Sequence, residues 1–261
     1  MCWICPICST SNEDSTRICF VCGHERKRKR VPIEKIESSY EQGCAYYRNE
    51  SYESAFELLN FAAEHRYVPA LIKIAECYRL GRGTAISERK AYESYLSATK
   101  KGDSFSQYEV AKCYYYGYGT SKNLVRTVLW LEKAAEQNCL QAMKMLAVML
   151  LDGEGVTQDI DRALDLFEEV SDLRYMDDEA TDPDVLLGIG RCYKLAGRKI
   201  KAASYFKKAA KAGNAEAQYI LAVCYLEGIG VFRSITKAKM WLKRSVEKDY
   251  TKAYEKLSEL D

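Results

Sequence analysis

The chain has 261 residues, of which 48% are hydrophobic and 29% charged, and its formal net charge is +2. This composition is typical of a folded globular protein and excludes a fully disordered chain. No stretch approaches the roughly 18 to 20 apolar residues of a membrane-spanning helix, and the N-terminus lacks a signal-peptide layout. We therefore expect a reducing, cytoplasmic location, with nuclear residence left open, in which the eleven cysteines are metal ligands or core residues rather than disulfides.

Two short cysteine pairs stand at the start of the chain, Cys5-x-x-Cys8 and Cys19-x-x-Cys22. A C-x-x-C turn lets two thiolates reach one ion, and two such turns complete a closed tetrahedral zinc site of the structural kind. A segment this short cannot fold by burial alone, whereas zinc supplies about 10–16 kcal/mol in zinc-finger peptides. The spacing predicts a zinc finger over residues 1–25 that holds one structural Zn²⁺.

The spacing leaves the ligand set open, because Cys2-x-x-Cys5 has the same form and His24 is close enough in sequence to compete. The segment as a whole follows the pattern Trp3-x-Cys5-x-x-Cys8-x-x-x-Asn12-x-x-x-x-x-x-Cys19-x-x-Cys22. It resembles the zinc finger first named in the Ran-binding nucleoporin. That resemblance implies that Trp3 and Asn12 are structural and that the metal ligands are Cys5, Cys8, Cys19 and Cys22.

Fingers of that family bind ubiquitin or single-stranded RNA, and this sequence departs from both patterns. Ser9-Thr10 replaces the Thr-Phe pair of the ubiquitin binders, although an apolar residue, Val21, precedes the fourth cysteine. The interval 13–18 has two acids, one arginine and no aromatic residue, whereas RNA recognition uses cations and stacking. We expect the finger to contact a protein, with ubiquitin binding through Val21 as a weaker alternative.

A basic run, ERKRKR, ends the finger and begins a predicted linker over residues 26–35. Consecutive positive charges attract phosphates irrespective of sequence, but they also extend a linker by mutual repulsion. We favour the charged linker. The alternative is a nucleic-acid-binding protein in which the finger and Arg26 to Arg30 contact phosphates.

Residues 36–261 contain six copies of one motif, separated by steps of 31, 36, 36, 43 and 32 residues. A small residue marks the centre of each copy: Cys44, Ala75, Ala111, Ala147, Gly190 and Ala222. A second small or short residue follows at Ala55, Ala91, Thr127, Ala163, Ala202 and Ala238. Apolar residues three, four and seven positions apart lie on one helix face. Each copy is therefore predicted to be helix A, a turn and helix B, with a left-handed glycine such as Gly81 or Gly228 ending helix A.

The clearest copy has A-x-x-Y-x-x-G-x-G from Ala222 to Gly230 and a K-A-x-x-W-L pattern from Lys237 onward. These motifs resemble the Sel-one-like repeat, a relative of the tetratricopeptide repeat with a longer turn. The resemblance implies an all-α fold, an α-solenoid of about six helix-turn-helix repeats in which each repeat contacts only its neighbours. An acidic insertion at 171–184 explains the step of 43, and the final segment, TKAYEKLSEL, predicts a closing helix.

No arrangement of residues predicts catalysis. The chain has only His24 and His65 as histidines, and its glycine-containing turns lack the GK[ST] of a phosphate-binding loop. Thiols recur two residues after the small residue in four copies, which indicates packing rather than nucleophilic chemistry: Cys77, Cys113, Cys192 and Cys224. We expect a non-enzymatic adaptor or scaffold with an accessory zinc finger, and neither a small-molecule substrate nor a membrane partner.

Helix A is expected to line the concave side of the solenoid, by analogy with tetratricopeptide repeats. Side chains three before, one after and four after the small residue would then face a protein or peptide partner, which aromatic and basic groups suit. The predicted partner-binding residues are Ile72, Glu76, Arg79, Tyr108, Lys112, Tyr115, Arg191, Lys194 and Tyr219. The same rule also selects Lys144, Val148, Leu151, Leu187, Val223 and Leu226.

Overall fold

The structure, a computed structural model, describes residues 2–4, 7, 10–13, 21–22, 31–176 and 182–260. These ranges contain two short strands, β1 (Cys2–Ile4) and β2 (Ser11–Glu13), and thirteen helices. The helices are α1 (Ile33–Arg48), α2 (Tyr52–Glu64), α3 (Val68–Leu80), α4 (Glu88–Thr99), α5 (Ser104–Tyr116), α6 (Leu124–Ala135), α7 (Leu140–Asp152), α8 (Ile160–Met176), α9 (Pro183–Leu195), α10 (Lys199–Lys211), α11 (Ala215–Glu227), α12 (Ile235–Val246) and α13 (Thr251–Ser258).

Strands β1 and β2 pair antiparallel, with Trp3 opposite Asn12. They flank the sequence that carries the first cysteine pair. Of the predicted zinc ligands, Cys22 is exposed in a turn, whereas Cys5, Cys8 and Cys19 lie outside the described residues, as do His24 and the basic run from Arg26 to Arg30. The zinc site stays a prediction.

The helices confirm the predicted solenoid of paired helices. Odd-numbered α1 to α11 are helix A of six successive units, even-numbered α2 to α12 are helix B, and α13 closes the stack. Each helix packs on the next one in the chain, and the only other substantial helix contact among the described residues joins α7 to α9. Small residues let the helices approach, so Ala75, Ala111, Ala147 and Ala222 are fully buried. Larger side chains fill the remaining space: Leu59, Leu131, Phe167, Phe206 and Leu242.

The first unit contradicts one prediction, because its small central residue is Gly43 rather than Cys44. Gly43 is buried, and a Cβ placed there would lie 2.8 Å from Cγ of Leu59. Gly190 has the same relation to Phe206, whose Cε1 atom is 2.6 Å from the corresponding position. Cys44 is only half-buried. With Gly43 at the centre, the first and fifth units have the same spacing between their two small residues.

Four helices A end as predicted, at a glycine in the left-handed conformation: Gly81, Gly117, Gly153 and Gly228. The glycine two residues later has a role that the sequence did not indicate. A Cβ at Gly119 would overlap the carbonyl oxygen of Glu88, the first residue of α4 in the preceding unit. Gly83 and Gly230 likewise approach the carbonyl oxygen of the first residue of the preceding helix B, and Gly155 approaches the Cβ atom and backbone of Leu124, the first residue of α6. This glycine sets how closely consecutive units approach.

We expect Gly119→Ala to lower the free energy of unfolding by about 1–3 kcal/mol more than Gly102→Ala, because only the first methyl collides with a neighbouring backbone. Both glycines have positive φ, 67° and 83°, so both variants carry the same left-handed penalty of about 1–2 kcal/mol. A Cβ at Gly102 meets nothing within 4 Å. Urea denaturation of the two variants measures the difference, and equal midpoints would contradict the close approach.

Candidate functional site

Two adjoining depressions lie along the surface that helices A form in the second to fifth units. The first, of about 350 Å³, lies between α5, α7 and α9, and its lining includes Tyr108, Tyr115, Tyr116, Lys144, Val148 and Asp184. The second, of about 480 Å³, lies between α3, α4 and α5, and its lining includes Arg79, Glu88, Tyr95, Glu109, Lys112, Tyr116 and Tyr118. Because Tyr116 lines both, they form one continuous surface, which we call the tyrosine groove.

Exposed aromatic rings occupy the middle of the tyrosine groove. The side chains of Tyr116 and Tyr118 are 54% and 47% exposed, and their rings stack with centroids 5.2 Å apart. Tyr115 meets Tyr116 edge to face at 4.8 Å. Rings arranged in this way present both apolar area and hydroxyl groups, which is the combination that dominates many protein interfaces.

Two further tyrosines of the groove, Tyr108 and Tyr115, are held by neighbouring charged groups. The hydroxyl of Tyr115 donates a hydrogen bond of 2.9 Å to Oε2 of Glu154 in the turn of the next unit. This hydrogen bond, together with burial, raises the pKa of Tyr115. Burial raises the pKa of Tyr108, and Nζ of Lys112 lies 5.1 Å from its ring centroid. Both tyrosines therefore remain neutral near pH 7 and can donate or accept hydrogen bonds.

Most cations of this surface are paired with carboxylates. Three ion pairs lie along it: Lys112–Glu109 at 2.9 Å, Lys144–Asp182 at 2.7 Å and Arg191–Asp152 at 2.6 Å. The last two connect different units, although partly exposed pairs contribute only about 0–1 kcal/mol each. Arg79 and Lys194 are exposed, and neither forms an ion pair within the described part of the chain. Arg79 is thus an unpaired cation of the second depression, whose lining also contains the carboxylate of Glu88.

In the sequence, residues three before, one after and four after the small residue of helix A were predicted to lie on this surface. Several of them lie elsewhere. Leu151 and Leu187 are buried, with 1% and 8% exposure, and belong to the main core, so their predicted exposure is wrong. The physical reason is the direct contact between α7 and α9, which removes side chains on the facing sides of these helices from solvent. The ring of Tyr219 packs against Tyr250 with centroids 5.4 Å apart, which places it outside the tyrosine groove.

The second unit contributes less than predicted. Ile72 is half-buried against a core cluster, and Glu76 pairs with Lys73 at 2.7 Å on its own helix. The position rule missed Tyr116 and Tyr118, the two most exposed rings of the groove. The third unit reads YYYGYG where other copies read RLGRG or LDGEG, so the extra aromatic residues at the end of its helix A were the available signal.

The recurring thiols behave as packing groups. Cys77, Cys113, Cys192 and Cys224 are all buried, and burial raises the pKa of the first three to about 11. A buried thiol with a raised pKa has little thiolate and is a poor nucleophile. Among the described residues, no three His, Cys, Asp or Glu side chains gather where they could hold a metal ion. No described helix is long and apolar enough to cross a membrane.

A sequence model of the Sel1 repeat matches five segments of the chain: 68–103, 104–139, 140–173, 199–214 and 215–250. The first two segments span the helix pairs of the second and third units, the third spans α7 and most of α8, and the last spans the helix pair of the sixth unit. The segment at 199–214 covers helix B of the fifth unit. The first unit and helix A of the fifth lie outside the matches, although their packing is that of the other units.

Three curated relatives carry similar repeats. Chitin synthase regulatory factor 3 of Schizosaccharomyces pombe is 28% identical over 63% of this chain and 18% of its own length. DAP3-binding cell death enhancer 1 of Rattus norvegicus is 29% identical over 65% of this chain and 33% of its own length. Chitin synthase regulatory factor 2 of S. pombe is 24% identical over 95% of this chain and 49% of its own length. The chain spans less than half the length of each relative.

Solved structures share the fold. A Sel1 repeat protein from Oxalobacter formigenes superposes with a TM-score of 0.73 and 27% identity, covering 84% of this chain and 86% of that protein. The protective antigen c5321 of uropathogenic Escherichia coli has the same TM-score at 22% identity, over 87% of this chain and 51% of the antigen. The second likeness concerns the fold alone.

We expect the four recurring cysteines to resist alkylation by iodoacetamide in the native protein, and Cys77, Cys113 and Cys192 to react about a hundredfold more slowly than in the unfolded chain because little thiolate is present. Peptide mass spectrometry after timed alkylation measures each site, and guanidinium-unfolded protein is the control in which all four should react. Rapid native modification of Cys113, which borders the groove, would contradict a purely packing role.

Proposed function

Since this chain belongs to the Sel1 repeat family, we propose that it is a non-enzymatic adaptor that binds a protein partner through the tyrosine groove. The observation that carries the proposal is the pair of stacked, exposed rings of Tyr116 and Tyr118, held on a helical scaffold between two depressions. Exposed aromatic patches of this kind are costly to leave in water and mark interaction sites. The names of two relatives, a regulatory factor and a DAP3-binding protein, describe action on other proteins rather than catalysis.

The groove suits an extended peptide or a short helix with one or two apolar side chains. The stacked rings would cover the apolar side chains, and the hydroxyls of Tyr108 and Tyr115 would meet main-chain or side-chain polar groups. Arg79 lies at the α3 end of the groove and forms no ion pair with a described residue. Its guanidinium would therefore favour an acidic group of the partner at that end. A preformed groove of this kind adds little ordering cost on binding.

We expect Tyr116→Ala to weaken retention of a groove-bound partner by about 2 kcal/mol or more, as for a central interface residue. Affinity capture from nuclease-treated native lysate with the full chain, followed by quantitative mass spectrometry, identifies proteins whose retention the variant lowers. Tyr46→Ala is the matched control, because Tyr46 is 45% exposed on α1, outside the groove. Equal retention of every captured protein by both variants would exclude the groove as the binding site.

A nucleic-acid-binding role remains the alternative, resting on the zinc finger and the basic run from Arg26 to Arg30. Under that alternative, retention in the same capture experiment depends on nucleic acid and falls when the five basic residues are replaced by glutamine. A ubiquitin-binding role is the weaker alternative; Val21, its predicted contact, is 60% exposed. Replacement of Val21 by alanine would then reduce capture on immobilised ubiquitin.

We also propose that Cys5, Cys8, Cys19 and Cys22 hold one structural zinc ion and so fold an accessory binding module. The spacing of the two pairs supports this site, and so does the antiparallel pairing of β1 and β2, because the strands flank the first pair as in a short hairpin. Cys22 is exposed, as expected for a small domain that has no core of its own. Four thiolate ligands leave no open position for substrate, so the metal would be structural.

Metal analysis of the reduced protein should give one zinc per chain, and Cys22→Ser should lower that content and accelerate zinc release to a chelator. Cys44→Ser is the control, because Cys44 is half-buried in α1 and should leave the zinc content unchanged. Zinc-free protein in which Cys5 and Cys22 are both freely alkylated would overturn this proposal.

A further inference from the structure

The last two helices B carry an unusual concentration of positive charge. Helix α10 has five lysines and α12 has four basic residues, and neither helix contains a carboxylate. The other helices B differ: α2 has three glutamates and no basic residue, and α8 has five acidic residues against two basic ones. The positive charge is therefore a property of the fifth and sixth units and not of the repeat.

The two basic helices both pack on α11, and they point in the same direction. At their N-terminal ends, Gly230, which precedes α12, approaches the backbone of Lys199 at the start of α10. At their C-terminal ends, Gly213 follows α10 and Lys248 follows α12. Nζ of Lys248 lies 3.1 Å from the point that a Cβ atom on residue 213 would occupy. Since a 13-residue helix is about 20 Å long, the outward side chains of α10 and α12 form one surface of that length.

Ten basic side chains on this surface are exposed, and the half-buried Lys239 of α12 is not among them. Within the described part of the chain, none of the following forms an ion pair with a carboxylate: Arg198, Lys199, Lys201, Lys207, Lys208, Lys211, Arg233, Lys237, Lys243 and Arg244. The only carboxylates between residues 198 and 246 are Glu216 and Glu227, and both belong to α11, a helix A. We call this surface the basic face.

Exposed apolar residues adjoin the basic face at its N-terminal end. Phe232 is 95% exposed and Ile200 is 77% exposed, and Ile235, the first residue of α12, is 52% exposed. Phe232 stands where the turns of the second, third and fourth units have Ala85, Ser121 and Thr157, so the fold does not need an aromatic residue there. Packing does not explain why this turn presents a large apolar side chain to solvent.

We propose that the basic face binds the surface of a membrane that contains anionic lipids, with Phe232 and Ile200 inserted at the level of the headgroups. Clustered lysines near a bilayer are attracted to acidic headgroups, and adjacent apolar side chains add burial in the interface. Nucleic acid would also attract the lysines, but phosphate contacts give the aliphatic Ile200 and Ile235 no role. Attachment of this kind needs no spanning helix, so it is compatible with the lengths of the described helices.

Co-sedimentation with vesicles tests the proposal on the full chain. The protein should pellet with phosphatidylcholine vesicles that contain phosphatidylserine and stay in solution with phosphatidylcholine alone, and added salt should weaken the binding. Lys207→Gln with Lys211→Gln should reduce the binding about tenfold or more, since each lysine near the surface contributes. Phe232→Ser should reduce it about tenfold through lost interfacial burial.

Matched controls separate the basic face and its apolar residues from total charge and from an exposed apolar residue in another turn. Lys100→Gln with Lys101→Gln removes the same charge from exposed positions after α4, and Ile86→Ser removes an apolar turn residue that is 69% exposed. Neither should change vesicle binding. Equal losses in the control and test variants would overturn the proposal. Binding to a single-stranded oligonucleotide but not to anionic vesicles would overturn it in favour of nucleic acid.

Discussion

The approach of one turn to the backbone of the preceding repeat fixes the geometry on which the rest of this solenoid depends. In four units the second glycine of the turn lies so close to the first residue of the preceding helix B that no side chain fits between them. Because each repeat contacts only its neighbours, the spacing set at this point repeats along the stack. The buried small residues set the distance between helices A and B within each unit, and this glycine sets the distance between units.

The tyrosine groove follows from that spacing. Tyr115 in the third unit donates a hydrogen bond to Glu154, which directly precedes Gly155 in the turn of the fourth unit, so this contact depends on the separation that Gly155 allows. The aromatic residues themselves contribute little to this scaffold, since Tyr116 and Tyr118 are about half exposed. The residues that stabilise the third unit therefore differ from the residues proposed for recognition, and the latter can change without altering the core.

Periodicity in the sequence predicted the helix pairs, their glycine ends and most buried small residues, because those features repeat and six copies reinforce one another. It failed where one copy departs from the rest. In the first unit Gly43 and Cys44 are both small, and only the contact with Leu59 distinguishes them. Leu151 satisfied the rule for exposed positions but is buried, because α7 touches α9 directly. Tyr116 and Tyr118 follow the end of the periodic pattern, so a rule built on that pattern did not select them.

Charge is even less constrained by the repeat than aromatic content. The outward positions of helix B contact solvent in every unit, so they accept glutamate in α2 and lysine in α10 at no cost to the core. Consequently the net charge of the whole chain, +2, hides a strongly basic face on the last two units that acidic residues of earlier units offset. The two helix layers then present two chemically distinct surfaces, aromatic on the helix A side and basic on the helix B side. The proposed protein-binding groove and the proposed membrane-binding face therefore lie mainly on different helix layers, so occupation of one would leave the other accessible.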